Sequence, residues 1–201
     1  MRTIFVMILS VMFAIAMNVS AQNIDSYRNR LLPEVFKNSV VKKHNKTQKY
    51  IDSLQIATGE KYIIDSRYPI SNIYERSHYV IAYIMSHNRN ILNPNFAGDM
   101  FVGTSLDVLI MRNSKILGTI EITMDLLFTK FPDASHELKK YDIHAVENIG
   151  VEDNYVVFDI MICIPDTDMD QYFRIKCSGN NIIEITNISN EYWKKYDTDD
   201  Y

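Results

Sequence analysis

Cysteine and glycine are scarce in this chain, two and six in 201 residues. Two cysteines cannot build the dense disulfide framework of a small secreted scaffold, nor a Cys-rich structural zinc site. Six scattered glycines leave no Gly-rich phosphate loop. The five histidines (His44, His78, His87, His136, His144) contain no i, i+4 pair, and Ser135-His136-Glu137 lacks the second histidine of a metalloprotease helix. Gly103-Thr104-Ser105-Leu106-Asp107 starts like a nucleophile elbow. It carries Asp107 where that turn needs glycine, and it precedes a strand pattern instead of following one. A strong basic surplus is also missing. The formal net charge is −4, which argues against a nucleic-acid partner. No apolar run of membrane-spanning length follows residue 21.

The first 21 residues read as an address. Arg2 supplies positive charge, Ile4 to Met17 is apolar except for Ser10, and Val19-Ser20-Ala21 fits a cleavage site before Gln22. The pattern resembles export signals of Gram-negative bacteria and implies a periplasmic or secreted protein, with no membrane insertion once the signal is removed. The expected organisation is a signal peptide at 1–21, one α+β domain over 22–190, and an aromatic, acidic tail at 191–201. Residues 22–61 hold eight Lys and Arg against four Asp and Glu, and residues 62–201 hold twelve against twenty-one. That split predicts a solvated basic helix beside an acidic sheet.

Helical spacing runs through residues 24–57, with breaks expected at Pro33 and over Lys42–Lys49 and a left-handed stop at Gly59. Residues 72–88 fit two readings. Asn72 and Glu75 form a capping-box pattern, while Tyr79–Ile84 has strand propensity, and we read the segment as helix. Asn88 to Asp99 reads as loop. From Leu106 the period becomes two. A hairpin that matches apolar faces pairs Leu106 with Ile122, Val108 with Ile120 and Ile110 with Gly118, across a three-residue turn at Asn113–Lys115. Residues 125–141 read as a helix or an irregular crossover, interrupted at Pro132. Strands follow near 143–149, 155–164, 171–178 and 182–188. Helices first and antiparallel strands later is an α+β order, with N-terminal helices packed on a curved, mainly antiparallel sheet. The order resembles the cone-shaped sheets of the NTF2-like kind. In this scheme Cys163 and Cys177 fall on opposite faces and out of register, so both are expected as free thiols.

Candidate sites are few. Asp166, Asp168 and Asp170 occupy positions 1, 3 and 5 of an EF-hand-like start. Gln171 and Cys177 stand where that loop needs glycine and glutamate, so the choice is between a loose calcium site and a solvated turn. Asp107, Glu121 and Asp159 are strand carboxylates suited either to acid–base work or to a polar sheet face. Tyr192, Trp193 and Tyr196 either pack back on the sheet or form an aromatic patch for a partner. No motif calls for a cofactor. The expected function is a non-catalytic binding protein for a protein or small ligand, one form of which is an immunity or inhibitor protein. The alternative is a small hydrolase using sheet carboxylates or His136 and His144.

Overall fold

The computed structural model describes residues 33–76, 78–93 and 99–196, without the side chains of Lys195 and Tyr196. The chain divides after Lys37. Residues 33–37 are described in the first unit, and the second, Asn38–Tyr201, carries the sheets. The expected signal, residues 22–32 and the last five residues lie outside the described part.

Helix α1 spans Glu34–Thr58. Pro33 stands just before it, where a missing N–H costs nothing, and its carbonyl accepts from the amides of Phe36 and Lys37. The expected break at 42–49 does not occur. Lys and Gln are good helix formers, and the polar stretch is the exposed side of a helix that buries Val40, Thr47 and Ile51. Gly59 ends it at φ +71°, its N–H bonded to Gln55 O at 2.9 Å.

Nine strands follow: β1 (Tyr62–Ile63), β2 (Ile70–Arg76), β3 (Tyr79–Leu92), β4 (Met100–Arg112), β5 (Lys115–Ile122), β6 (Asp142–Glu152), β7 (Tyr155–Cys163), β8 (Asp170–Ser178) and β9 (Asn181–Asn187). Between β5 and β6 lie α2 (Met124–Lys130), a 3-10 turn at Pro132–Ala134 and the single turn α3 (Ser135–Leu138), the crossover the sequence suggested. Helix α4 (Ser189–Tyr196) closes the described chain. The fold is mixed α+β and sheet-rich, with four helices and nine strands among the described residues.

The strands form two mostly antiparallel sheets, where the sequence had suggested one. In the first, β1, β4, β3 and β2 lie side by side, with β5 also on β4. The β1–β4 pair is parallel, Tyr62 opposite Met100. The second is the meander β6-β7-β8-β9. One apolar core joins them, including Ile81, Leu106, Ile110 and Ile122 from the first sheet and Phe158, Ile160, Phe173 and Ile175 from the second. Helix α1 lies on the first sheet, where Lys43 reaches Ser105 and Asp107 on β4 and Glu121 on β5.

The reading of 72–88 as helix is overturned. Asn72 and Glu75 are cross-strand partners of Tyr83 and Val80 in the β2–β3 hairpin. Strand β3 is apolar on both faces, one toward the core and one toward α1, so alternation is lost and its hydrophobic pattern imitates a helix face. It also runs on to Leu92, which shortens the expected loop at its start, and β4 begins at Met100, directly after the expected loop and six residues before the period-two pattern read from Leu106.

The β4–β5 register is as expected, Leu106 opposite Ile122, Val108 opposite Ile120 and Ile110 opposite Gly118. The turn differs. Asn113 and Ser114, at φ 51° and 62°, make a two-residue turn of the primed kind, and Leu117 bulges out between Ile116 and Gly118. The two routes give one register because a bulge adds the residue that the shorter turn omits.

In the β7–β8 pair Cys163 faces Asp170 and Cys177 faces Val156, seven positions apart along β7. At about 3.3 Å per residue no disulfide can span them, and both thiols are free. Alkylation of the denatured, unreduced protein should therefore add two labels by mass spectrometry. An unlabelled mass two protons lighter would contradict this register.

Candidate functional site

A cavity of about 400 Å³ opens where the start of β4 comes alongside the start of β6. Four segments line it: residues 63–68 at and after the end of β1, 101–104 of β4, 142–144 of β6, and 161–170 across the β7–β8 turn. Strand register sets Asp142, Cys163 and Asp170 in one row across β6, β7 and β8. Neighbouring strands are roughly 5 Å apart, so the two carboxylates flank the thiol from either side.

Asp142 is the junction of the two sheets. Its Oδ1 accepts the Thr104 amide at 2.8 Å. Burial pushes its carboxyl up to about 6, against the opposing pull of that N–H. Burial likewise raises the Tyr68 phenol to about 12 and the Cys163 thiol to about 11. Asp65 is different. The Arg67 guanidinium, with Nε at 3.0 Å and 2.9 Å from its two oxygens, holds its carboxyl below the usual range. The hydroxyl of Thr104, a residue 1 % exposed, is hydrogen-bonded to the Asp142 carboxyl and the Tyr68 phenol. One polar atom of the cavity wall, Asp170 Oδ1, is buried without a partner. The other Asp170 oxygen accepts from Tyr172 Oη at 3.2 Å.

The raised carboxyl of Asp142 has a stability consequence. The folded state keeps this proton above the ordinary value of 3.8, so its contribution falls as pH rises from about 4 through about 6. Asparagine retains an acceptor for the Thr104 amide and cannot ionise. Asp142→Asn should melt increasingly above the parent across that window and by a constant margin beyond pH 7. A melting-temperature difference that does not vary between pH 4 and 7 would remove the argument.

The three aspartates singled out in the 166–170 turn all line the cavity, Asp166 (φ 60°) and Asp168 at exposed positions and Asp170 half-buried. Thr167 shapes the turn, its hydroxyl bonded to Ile164 O at 2.8 Å. Among the described residues no three His, Cys, Asp or Glu side chains gather as a metal site.

The other sequence candidates have partners of their own. Asp107 and Glu121 are cross-strand neighbours clasped by Lys43. Asp159 is fully buried and takes a bidentate contact from Arg174. His144 lines the cavity, while His136 is exposed on α3 and does not. His87, its ring 4.9 Å from Tyr68 and 5.7 Å from His44, is buried beneath α1 and bonded through Nε2 to Asp65 O. Tyr192 stacks on Tyr172 at 3.8 Å and bonds Glu147 and Asn148. Trp193 lies edge-on to Tyr172 and is 48 % exposed, and the side chain of Tyr196 is outside the description.

Sequence reasoning missed Asp142, Thr104, Tyr68 and Cys163 as site residues. No local motif marks them, because they meet through strand pairing between distant segments. Asp142 carries one weak signal, a carboxylate opening a strand directly after the buried Tyr141. The chain matches no protein-family model and no curated protein sequence. Among the described residues no helix is long and apolar enough to cross a membrane.

Proposed function

We propose that this is a non-catalytic binding protein, exported to the periplasm or beyond, that takes a small ligand in the cavity at Thr104, Asp142 and Asp170. One observation carries the reading: a cavity of about 400 Å³ whose wall holds a buried carboxylate oxygen, Asp170 Oδ1, without a partner. Such an atom costs about 1–3 kcal/mol when unmet, and a ligand that donates to it removes that cost. The chemistry supports binding over nucleophilic catalysis. The thiol and the phenol both hold their protons firmly at neutral pH. The export signal supplies the location. Native mass spectrometry of the protein purified from its own host should show a small molecule that leaves on denaturation and is lost from Thr104→Val. Absence of any bound molecule, with no melting shift in the host's small-molecule extract, would defeat the reading.

A hydrolase is the second reading, and Asp142 is the observation that favours it. A carboxyl titrating near 6 in a cavity can give and take a proton, as a general acid must. Turnover of an envelope-derived ester, peptide or glycan that disappears in Asp142→Asn would establish it.

A further inference from the structure

We propose that mild acid loosens the middle of α1 from the first sheet, through two stacked imidazoles, His44 on the helix and His87 on β3. Their ring centroids are 5.7 Å apart and their planes 25° from parallel. Val40, His44, Thr47 and Ile51 recur at four- and three-residue steps along one side of α1, and the other three are buried. An ionisable ring therefore sits in the middle of the stripe that seats the helix. Nδ1 of His44 is buried with no hydrogen-bond partner. His87 is 2 % exposed. Its Nε2 lies 3.0 Å from Asp65 O, and the Gly103 backbone gives the ring a second hydrogen bond.

Both rings gain from staying neutral while α1 is seated. Burial holds each below the ordinary 6.5, and the charge of His44 opposes that of His87 as well. A protonated His87 has two acceptors, whereas Nδ1 of His44 has none and reaches water only when the helix lifts. An imidazole kept neutral in the seated form and restored to 6.5 in water favours opening by up to roughly thirtyfold at pH 5. The charged groups around the pair do not supply this response. Lys43 on α1 is held by Ser105, Asp107 and Glu121. After β1, Asp65 is paired with Arg67 and held below the usual range, so it stays ionised. Tyr68, edge-on to His87, has its phenol pushed up to about 12 and stays protonated. Arg89 on β3 lies over the Tyr50 ring of α1 at 5.1 Å. Asp107 and Asp142 are raised by burial, so acid favours their buried forms and opposes opening. Lifting α1 uncovers the small apolar cluster of Ile51, Tyr62 and Val102. It also takes support from the Asp65–Tyr68 segment, which lines the cavity. The contact responds to acid whether or not the cavity holds a ligand.

The test is amide hydrogen exchange by NMR on the full exported chain, with the intrinsic pH dependence of exchange divided out. Protection of the α1 amides from Val40 to Ile51 is expected to fall at least about fivefold between pH 7.5 and pH 5, while that of β7 and β8 stays within about twofold. The fall should vanish in His44→Gln. It should vanish too in His44→Phe, which keeps a ring against His87 without a proton site and so separates lost charge from lost packing. Asp142→Asn should keep it. Protection of α1 that holds or rises in acid would overturn the proposal. So would a fall that persists in both His44 variants, or one that disappears in Asp142→Asn, which would assign it to the cavity carboxyl. An equal fall in β7 and β8 would overturn it as well, because the whole molecule would then be loosening.

Discussion

Replacing Arg174 with alanine is expected to lower stability by about 3 kcal/mol, because it strands a buried charge. Asp159 is 0 % exposed, and its oxygens accept Arg174 Nε at 2.8 Å and Nη2 at 3.0 Å. Asn148 Nδ2 adds one contact at 3.0 Å. Asp159 and Arg174 are register partners on β7 and β8, so neither backbone must move to make the pair. Removing the guanidinium leaves an ionised carboxylate with one amide for company. The cost falls at the low end of the range for buried pairs, because Arg174 is itself 43 % exposed and water follows where it leaves. Asp159→Asn should cost less, since the remaining arginine can hydrate. Adding Asp159→Asn to Arg174→Ala should recover more than half of the loss, because the stranded charge is gone. Urea midpoints at unchanged slope measure all three. An Arg174→Ala protein within about 0.5 kcal/mol of the parent would show that the pair contributes nothing net, as exposed pairs often do.

The same pair shows what sequence can and cannot disclose. Asp159 and Arg174 were both legible as polar positions on alternating strands, since period two assigns faces without ambiguity. That alternation also yielded the β4–β5 register and the separation of the cysteines. It failed at β3, which is covered on both sides, so that Val80, Ala82 and Ile84 are apolar as well as Tyr79, Ile81 and Tyr83. Periodicity carries information only where one face meets water. The candidate site was less legible than the fold. The 166–170 turn stood out by its spacing and does line the cavity with Asp166, Asp168 and Asp170. Its meaning came from Asp142, Thr104 and Tyr68, which no local pattern ties to it. The hydrogen bond from the Thr104 amide to Asp142 closes a gap of 38 residues. The aromatic tail was half read. Tyr192 is spent on Tyr172 and Glu147, while Trp193, edge-on to Tyr172, stays about half exposed.

The second large effect is expected at Gly118, where the two sheets touch at their edges. A Cβ built there would lie 2.4 Å from Asn180 N and 2.6 Å from Gly179 C. Both are backbone atoms of the β8–β9 turn, so no side chain can swing aside. Gly118 has no positive φ, and the demand for glycine is one of space rather than of backbone conformation. Gly118→Ala must push β5 from the turn or tilt the β8–β9 hairpin, and either move strains core side chains on both sheets. Overpacking of this kind costs about 1–3 kcal/mol, and the backbone clash places it toward the upper end. Gly150 is the matched control. It also lies in a strand without positive φ, yet a Cβ there meets Arg76 Nη1 at 3.9 Å and nothing nearer. Gly150→Ala should be neutral, or stabilising by a few tenths of a kcal/mol through the unfolded chain. Paired thermal and urea unfolding of the two variants isolates the steric term, because the change in chain entropy is the same in both. Equal stability of the two would mean that β5 and the β8–β9 turn stand farther apart than an added methyl group requires.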